Sequence, residues 1–323
     1  MTWPSSVSRL ELKDNYAELS KKLAETTIQL AKKFQGDTIM TAALNHAVKQ
    51  AVSTHHHDLK VRHMDFEFSN DIPEFWYDND PFKTLLLAAL SGGFPEGERF
   101  FIDSVRHFQE HIKDPELRQA IRAFIGQEAH HSKEHKILND FLESRGYPIS
   151  RIDKGVGMAM SWYRKYLSPA RQLAHTAAVE HFTALMAEKY LLNSKELAKM
   201  DSRMAGIWAW HAIEETEHKA VAFDVYKTAV GNEWVRTSQM AICTVMFLGF
   251  STYDFITLMR HSGRQGDVKM WAKGINYYWG TTGIFRKMIP EYLRYYRRDF
   301  HPWQHDSRAL VESIKQQYLG DKA

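Results

Sequence analysis

Two short stretches carry the residue types that could do chemistry: Gln127-Glu128-Ala129-His130-His131-Ser132-Lys133-Glu134-His135 and Trp210-His211-Ala212-Ile213-Glu214-Glu215-Thr216-Glu217-His218. Each contains a Glu-x-x-His unit, Glu128 with His131 and Glu215 with His218. On an α-helix, side chains three residues apart share a face, so each unit can aim a carboxylate and an imidazole at one point. A lone glutamate precedes each unit, Glu98 by 30 residues and Glu180 by 35. Those gaps suit two antiparallel helices joined by a short turn, and the arrangement occurs twice. One Glu from each of two helices and a Glu-x-x-His from each of two others is the donor set of a dinuclear carboxylate site in a four-helix bundle.

Four carboxylates in one core repel one another, and each is costly to desolvate. Two divalent cations would cancel that charge and leave the histidines as neutral donors. Oxygen and imidazole donors without thiolate suit iron or manganese, and zinc less specifically; the expected cofactor is a pair of iron ions. His135 and His211 extend the two ligand rows by one turn. Each is either a further metal ligand or a group that orients one, and direct ligation is the reading for His211. Glu96, Glu134, Glu214 and Glu217 fall off the apolar seams and are read as a solvated face, although Glu214 neighbours a ligand and is a candidate proton relay. Glu188, two turns beyond Glu180, is an alternative ligand.

The elements that must position these groups show as apolar residues at alternating spacings of four and three. A helix is expected from Pro95 to Ile112, with Glu98, Phe101, Val105, Phe108 and Ile112 on its stripe; Asp80-Pro81 resembles an earlier helix start. Asp114-Pro115 caps a second helix, whose seam reads Leu117, Ile121, Phe124, Glu128, His131, His135, Leu138 and Leu142 before Gly146-Tyr147-Pro148 ends it. There a glutamate and two histidines stand where packing alone would want leucine. Ser168-Pro169 starts a third helix, with Leu173, Ala177, Glu180, Ala184, Ala187 and Leu191 on one face. The fourth is expected unbroken from Ser202 to Val230. Its seam is Met204, Trp208, His211, Glu215, His218, Ala222 and Val225, with Gly231-Asn232 as its stop.

Of the 323 residues 44% are apolar, enough for one bundle with extensions, and a net charge of +3 gives no reason to expect nucleic acid. A single cysteine, Cys243, excludes disulfide frameworks and multi-cysteine metal sites and fits a reducing compartment. The N-terminus lacks a signal-peptide pattern, so a cytoplasmic location is expected. Residues 1–58 read as a helical extension, 59–232 as the bundle and 233–323 as helices packing on it. His55-His56-His57 reads as a polar loop without function. Thr237 to Met259 is long and apolar enough to span a bilayer, but Gln239 and Asp254 interrupt it. A buried helix covering the bundle is the expectation, with peripheral membrane contact as the alternative. Phe285 to Trp303 reads as a surface helix with snorkelling cations. His301 and His305 reach either the metal pocket or partners within the fold.

The stretches Phe94-Pro95-Glu96-Gly97-Glu98-Arg99-Phe100-Phe101 and Phe124-Ile125-Gly126-Gln127-Glu128, the Trp210 to His218 run, and Phe300-His301-Pro302-Trp303 resemble the predicted metal-dependent hydrolase family of ferritin-like proteins. The spacing of His211, Glu215 and His218 is also similar to di-iron enzymes of the arylamine N-oxygenase type, in which an additional histidine one turn before the Glu-x-x-His binds iron. These resemblances imply an all-α, ferritin-like four-helix bundle with a dinuclear metal site and additional helices at both ends. The expected activity is that of a non-haem di-iron oxidoreductase. It would use dioxygen, with an external electron donor, to oxidise a small amine or an apolar carbon, in a homo-oligomer. Two other readings stand beside it: a hydrolase whose two metals activate water, and a metal-binding protein without catalysis.

Overall fold

A computed structural model describes residues 59–320. The chain is all-α: among the described residues the only extended pairing is one antiparallel bridge between Tyr77 and Met200. The expected N-terminal helices and the His55-His56-His57 run lie outside the described residues. After a lead-in without regular structure from Leu59 come α1 (Pro81–Phe108), α2 (Pro115–Ser144), α3 (Ile149–Tyr166), α4 (Pro169–Met186), the short α5 (Ser194–Leu197) and α6 (Ser202–His218). They are followed by α7 (Val221–Ala229), α8 (Glu233–His261), α9 (Val268–Trp279), α10 (Ile284–Arg294) and α11 (Arg308–Tyr318). Four rods, α1, α2, α4 and α6 continued by α7, pack as a bundle. Helix α3 lies on α1 and α2, α8 covers α1 and α4, and α11 packs on α6.

The helix starts follow from capping chemistry. Asp80 accepts from the backbone N–H groups of Phe82 and Lys83, and Asp114 from those of Glu116 and Leu117, each followed by a proline at the first turn. The seams read from the sequence are the buried faces: Leu117, Ile121, Phe124, Leu138 and Leu142 flank buried Glu128, His131 and His135. Gly126 is small for a reason of approach. A Cβ there would come within 2.6 Å of Val61 Cγ2, so glycine lets the lead-in cross α2 beside the polar seam.

Four features depart from the expectation. Helix α1 begins at Pro81, runs through Pro95 and stops at Phe108, with Ile112 already extended. Proline inside a helix removes the N–H that would pair with the carbonyl four residues back. That carbonyl belongs to Ser91, and Asn139 Nδ2 on α2 donates to it at 2.9 Å. The fourth rod breaks after His218. Lys219 there turns its buried ammonium to Glu188 Oε1 at 2.6 Å, the His305 carbonyl at 2.8 Å and Ser307 Oγ at 3.0 Å. Helix α4 ends in a π-turn over Ala187–Leu191. Helix α3 was not anticipated at all: it lies between the expected stop at Pro148 and the expected start at Ser168.

The apolar stretch forms most of α8. Among the described residues this is the one helix long and apolar enough to cross a bilayer, and 44% of its most apolar window is buried against the bundle. Arg236, next to the apolar stretch, is buried, binding Glu233 and the carbonyls of Tyr295 and Arg297. Val245 and Leu248 are exposed on the outer face.

Candidate metal centre

Helix α1 brings Glu98, α2 Glu128 and His131, α4 Glu180, and α6 His211, Glu215 and His218 to one place in the bundle, all buried. They form two compact donor groups, Glu98 with His131 and His211, and Glu128 with Glu215 and His218; within each, the candidate ligand atoms lie within 4.8 Å of one another. Glu215 Oε1 joins the groups. It is 3.5 Å from His131 Nδ1, 3.4 Å from His211 Nε2 and 3.6 Å from His218 Nε2. Glu180 adds to the second group, with Oε2 at 3.2 Å from His218 Nε2, where Glu128 Oε1 stands at 3.1 Å.

The outer nitrogen of each histidine is held, which decides what the inner one offers. Gln127 Nε2 donates to the Lys60 carbonyl, so Gln127 Oε1 must accept from His218 Nδ1 at 3.1 Å, and His218 Nε2 is the nitrogen turned to the centre, protonated there among the carboxylates and a lone pair only when a cation takes the proton's place. His131 Nε2 donates to Glu214 Oε2 at 3.1 Å, leaving Nδ1 inward. His211 is set by a longer relay. Asn139 Nδ2 donates to the Ser91 carbonyl, so its Oδ1 accepts from Ser91 Oγ at 2.7 Å. Ser91 Oγ then accepts from His135 Nδ1 at 2.8 Å, and His135 Nε2 accepts from His211 Nδ1 at 2.9 Å. His211 Nε2 is left as a lone pair toward Glu215. Phe94 stacks on the His211 ring at 4.8 Å and His131 at 4.3 Å from the other side, fixing its plane.

The relay places His135 behind His211, both ring nitrogens engaged, outside the two donor groups. Glu214 is fully buried rather than solvated. It sits between His131 and Arg62, whose Nη1 is 3.1 Å from Glu214 Oε1 and 2.7 Å from Glu217 Oε2. Glu134 is also buried, accepting from the Phe66 N–H at 3.1 Å. The expected solvated face is therefore the seat of the lead-in, and the residues after Leu59 explain the discrepancy. Only Glu96, half-buried and paired with exposed Arg99, keeps the surface role. Glu188 binds Lys219 and Ser307, away from the centre. His301 binds Asp224 and His305 lies near Glu188, so both stay within the fold.

The donor atoms themselves are orphans. Glu98 Oε1, both oxygens of Glu128 and Glu180, Glu215 Oε2, His131 Nδ1 and His218 Nε2 are buried without a hydrogen bond among the described residues. Burial pushes the Glu98 carboxyl up to about 8 and Glu180 to about 7, and Glu128 is raised by burial and the charge of Glu180. At Glu215 burial is outweighed by His218 and His131, which hold it well below the usual range. At His131 burial is outweighed by Glu214, Glu215 and Glu128, raising it to about 10. His135 and His211 are lowered by burial and the neighbouring imidazoles. Such a cluster carries excess protons by itself. Cations in their place would satisfy the orphaned oxygens and inner nitrogens together, so the residues fit bound metal.

The centre is open on one side. A cavity of about 130 Å³ is walled by Glu98, His211 and Glu215 together with Phe94, Tyr163 and Asp254. Asp254 is buried on α8, and burial pushes its carboxyl up to about 7, with the charge of Arg151 opposing. Next to it lies a larger apolar cavity of about 490 Å³. The sequence reading missed Ser91, Gln127, Asn139 and Arg62, and saw Asp254 only as an interruption of an apolar run. Gln127 and Asn139 sit on the α2 helix that carries the seam, so a search for partners one turn from each ligand could have found them. Arg62 has no local signal.

The family model described as predicted metal-dependent hydrolase matches residues 60–306. The chain belongs to this family. No match was found among curated proteins or among solved structures. The matched span contains the lead-in, all seven converging residues and both cavities.

Proposed function

We propose that this member of the predicted metal-dependent hydrolase family is a dinuclear-metal hydrolase acting on an uncharged ester. The observation that carries the reading is the pair of adjoining donor groups, rich in orphaned buried atoms, with one face open to a cavity. Bound divalent cations would supply Lewis acidity and a water of lowered pKa. The chain's own residues do the rest. Ser132 Oγ donates to Glu98 Oε2 at 2.9 Å and so turns Oε1 to the centre. Glu214 orients His131 from behind and is a positioning residue, since the cavity wall is formed by Glu98, His211 and Glu215 instead. Asp254, in the same cavity wall, is the group able to hand a proton to a leaving alkoxide. An ester is favoured over a phosphate because an apolar cavity penalises entry of a charged group.

A second reading, a di-iron oxidoreductase using dioxygen and an external electron donor, is favoured by the carboxylate and imidazole donor set beside an apolar cavity. The deciding experiment loads the chain with zinc, manganese or iron and assays ester cleavage without oxygen. Anaerobic turnover with zinc or manganese supports the hydrolase. Turnover that requires both iron and oxygen supports the oxidoreductase, and bound metal with no turnover in either case supports a binding protein.

A further inference from the structure

The larger cavity is walled by Phe82, Leu86, Phe182, Met186 and Phe255 among other apolar side chains, with Ser, Thr and Tyr hydroxyls and two Trp indoles as its polar groups and no charged residue. It shares Leu90, Phe247 and Ser251 with the smaller cavity that reaches Glu98, His211 and Glu215. Four of its lining residues on α9 and α10, Ile275, Trp279, Ile289 and Leu293, are large apolar side chains left exposed, and none of them lines the smaller cavity. Apolar wall therefore runs from an exposed apolar rim to the metal centre. The one carboxylate on the wall outside the donor set, Asp254, lines only the inner cavity.

We propose that the two cavities form one channel for a linear aliphatic chain, entering at the rim on α9 and α10 and ending with its functional group between Asp254 and the metal centre. The proposal names the substrate class of the centre and rests on the reading of that centre as catalytic. Three observations favour such a chain over other occupants. The volume of the outer cavity is that of a small-molecule site. Its wall offers no charged partner for a polar ligand. The shared wall puts the inner end beside the donors, where a merely surface-bound molecule would not reach. Phe247, half-buried in that shared wall, is the side chain that would turn to let the chain pass.

The test uses the full chain and linear primary alcohols as probes, displacing fluorescent aminoanthracene. Affinity should rise about two- to fourfold per methylene up to a length limit, and then level. Ser251→Trp, which fills the shared wall, should shorten that limit by several methylenes and leave metal content unchanged. Leu293→Glu, an exposed rim substitution that does not threaten the core, should weaken long alcohols tenfold or more and short ones little. No displacement, or displacement independent of chain length, would overturn the channel. So would binding to phosphatidylglycerol vesicles without binding of single chains, which would make the rim a membrane contact. Loss of metal in the wild-type chain with chain-length dependence intact would instead sink the metal reading and leave the channel standing.

Discussion

At the scale of single residues, the account turns on which nitrogen carries the proton. His211 offers Nε2 only because its Nδ1–H is accepted by His135, whose own Nδ1–H is accepted by Ser91. Ser91→Ala frees His135 to take the other tautomer and donate to His211 Nδ1, leaving an N–H facing the centre. Metal affinity at the Glu98, His131, His211 group should fall about 10- to 100-fold while the other group holds its ion; a metal titration resolving two classes of site checks this. Equal weakening of both sites would contradict the relay. Asp254 gives a second prediction at this scale. Unfolded, it ionises near pH 3.8; folded, burial holds its proton to about pH 7. The folded state binds more protons between those values, so stability falls as pH rises from 3.8 to about 7 and is level above. Asp254→Asn removes that loss. It should gain up to roughly 4 kcal/mol over the wild type at pH 8 relative to pH 4, measured by urea unfolding of metal-free protein. Parallel pH profiles would mean Asp254 ionises at its ordinary value.

At the scale of elements, α1 and α2 are coupled through one carbonyl. Pro95 strips the Ser91 carbonyl of its helical partner, and Asn139 supplies the substitute. Asn139→Ala should cost about 1–3 kcal/mol in the native chain, the cost of an orphaned buried acceptor. With Pro95→Ala the helix regains its own N–H, and the same substitution should cost less. A double-mutant cycle by thermal or urea unfolding measures the difference, and strictly additive costs would contradict the coupling. The same carbonyl explains why the helix boundary was misread. Proline reads as a start because most helices exclude it from their interior. The partner that makes it tolerable lies 44 residues away in sequence, at Asn139. The seams, by contrast, were legible because a periodic apolar stripe is a local signal: Glu128, His131, Glu215 and His218 showed as polar breaks in it. Helix α3 carries the same signal, Ile149, Ile152, Val156, Ala159 and Tyr163 at spacings of three, four, three and four, but no ligand-type break in the stripe draws attention to it.

At the scale of the whole molecule, the donor groups come from four helices, and the lead-in locks two of them together. Arg62 ties down Glu214 and Glu217 of α6, while the Lys60 carbonyl accepts from Gln127 of α2. That contact was invisible beforehand because Glu214 and Glu217 fall off the α6 seam and only a tertiary partner buries them. Apolar cover is similarly non-local: α8 was legible as an apolar helix, but its role as cavity wall depends on α1, α4, α9 and α10. Because a metal pair would bind the folded bundle and not the unfolded chain, chelation should lower the melting temperature and re-addition restore it. An unchanged melting temperature on complete metal removal would show that the ions bind elsewhere or weakly.

The central claim is a metal pair held by Glu98, His131 and His211 on one side and Glu128, Glu215 and His218 on the other. The most direct measurement is the metal-to-chain ratio at saturation, by equilibrium dialysis and elemental analysis, for the wild type and for Glu215→Ala. Glu215 is the carboxylate that faces all three inward nitrogens. The account predicts two ions per wild-type chain and loss of at least one from a variant that stays folded by circular dichroism. A wild-type chain that binds none, or a Glu215→Ala chain that still binds two, would contradict it.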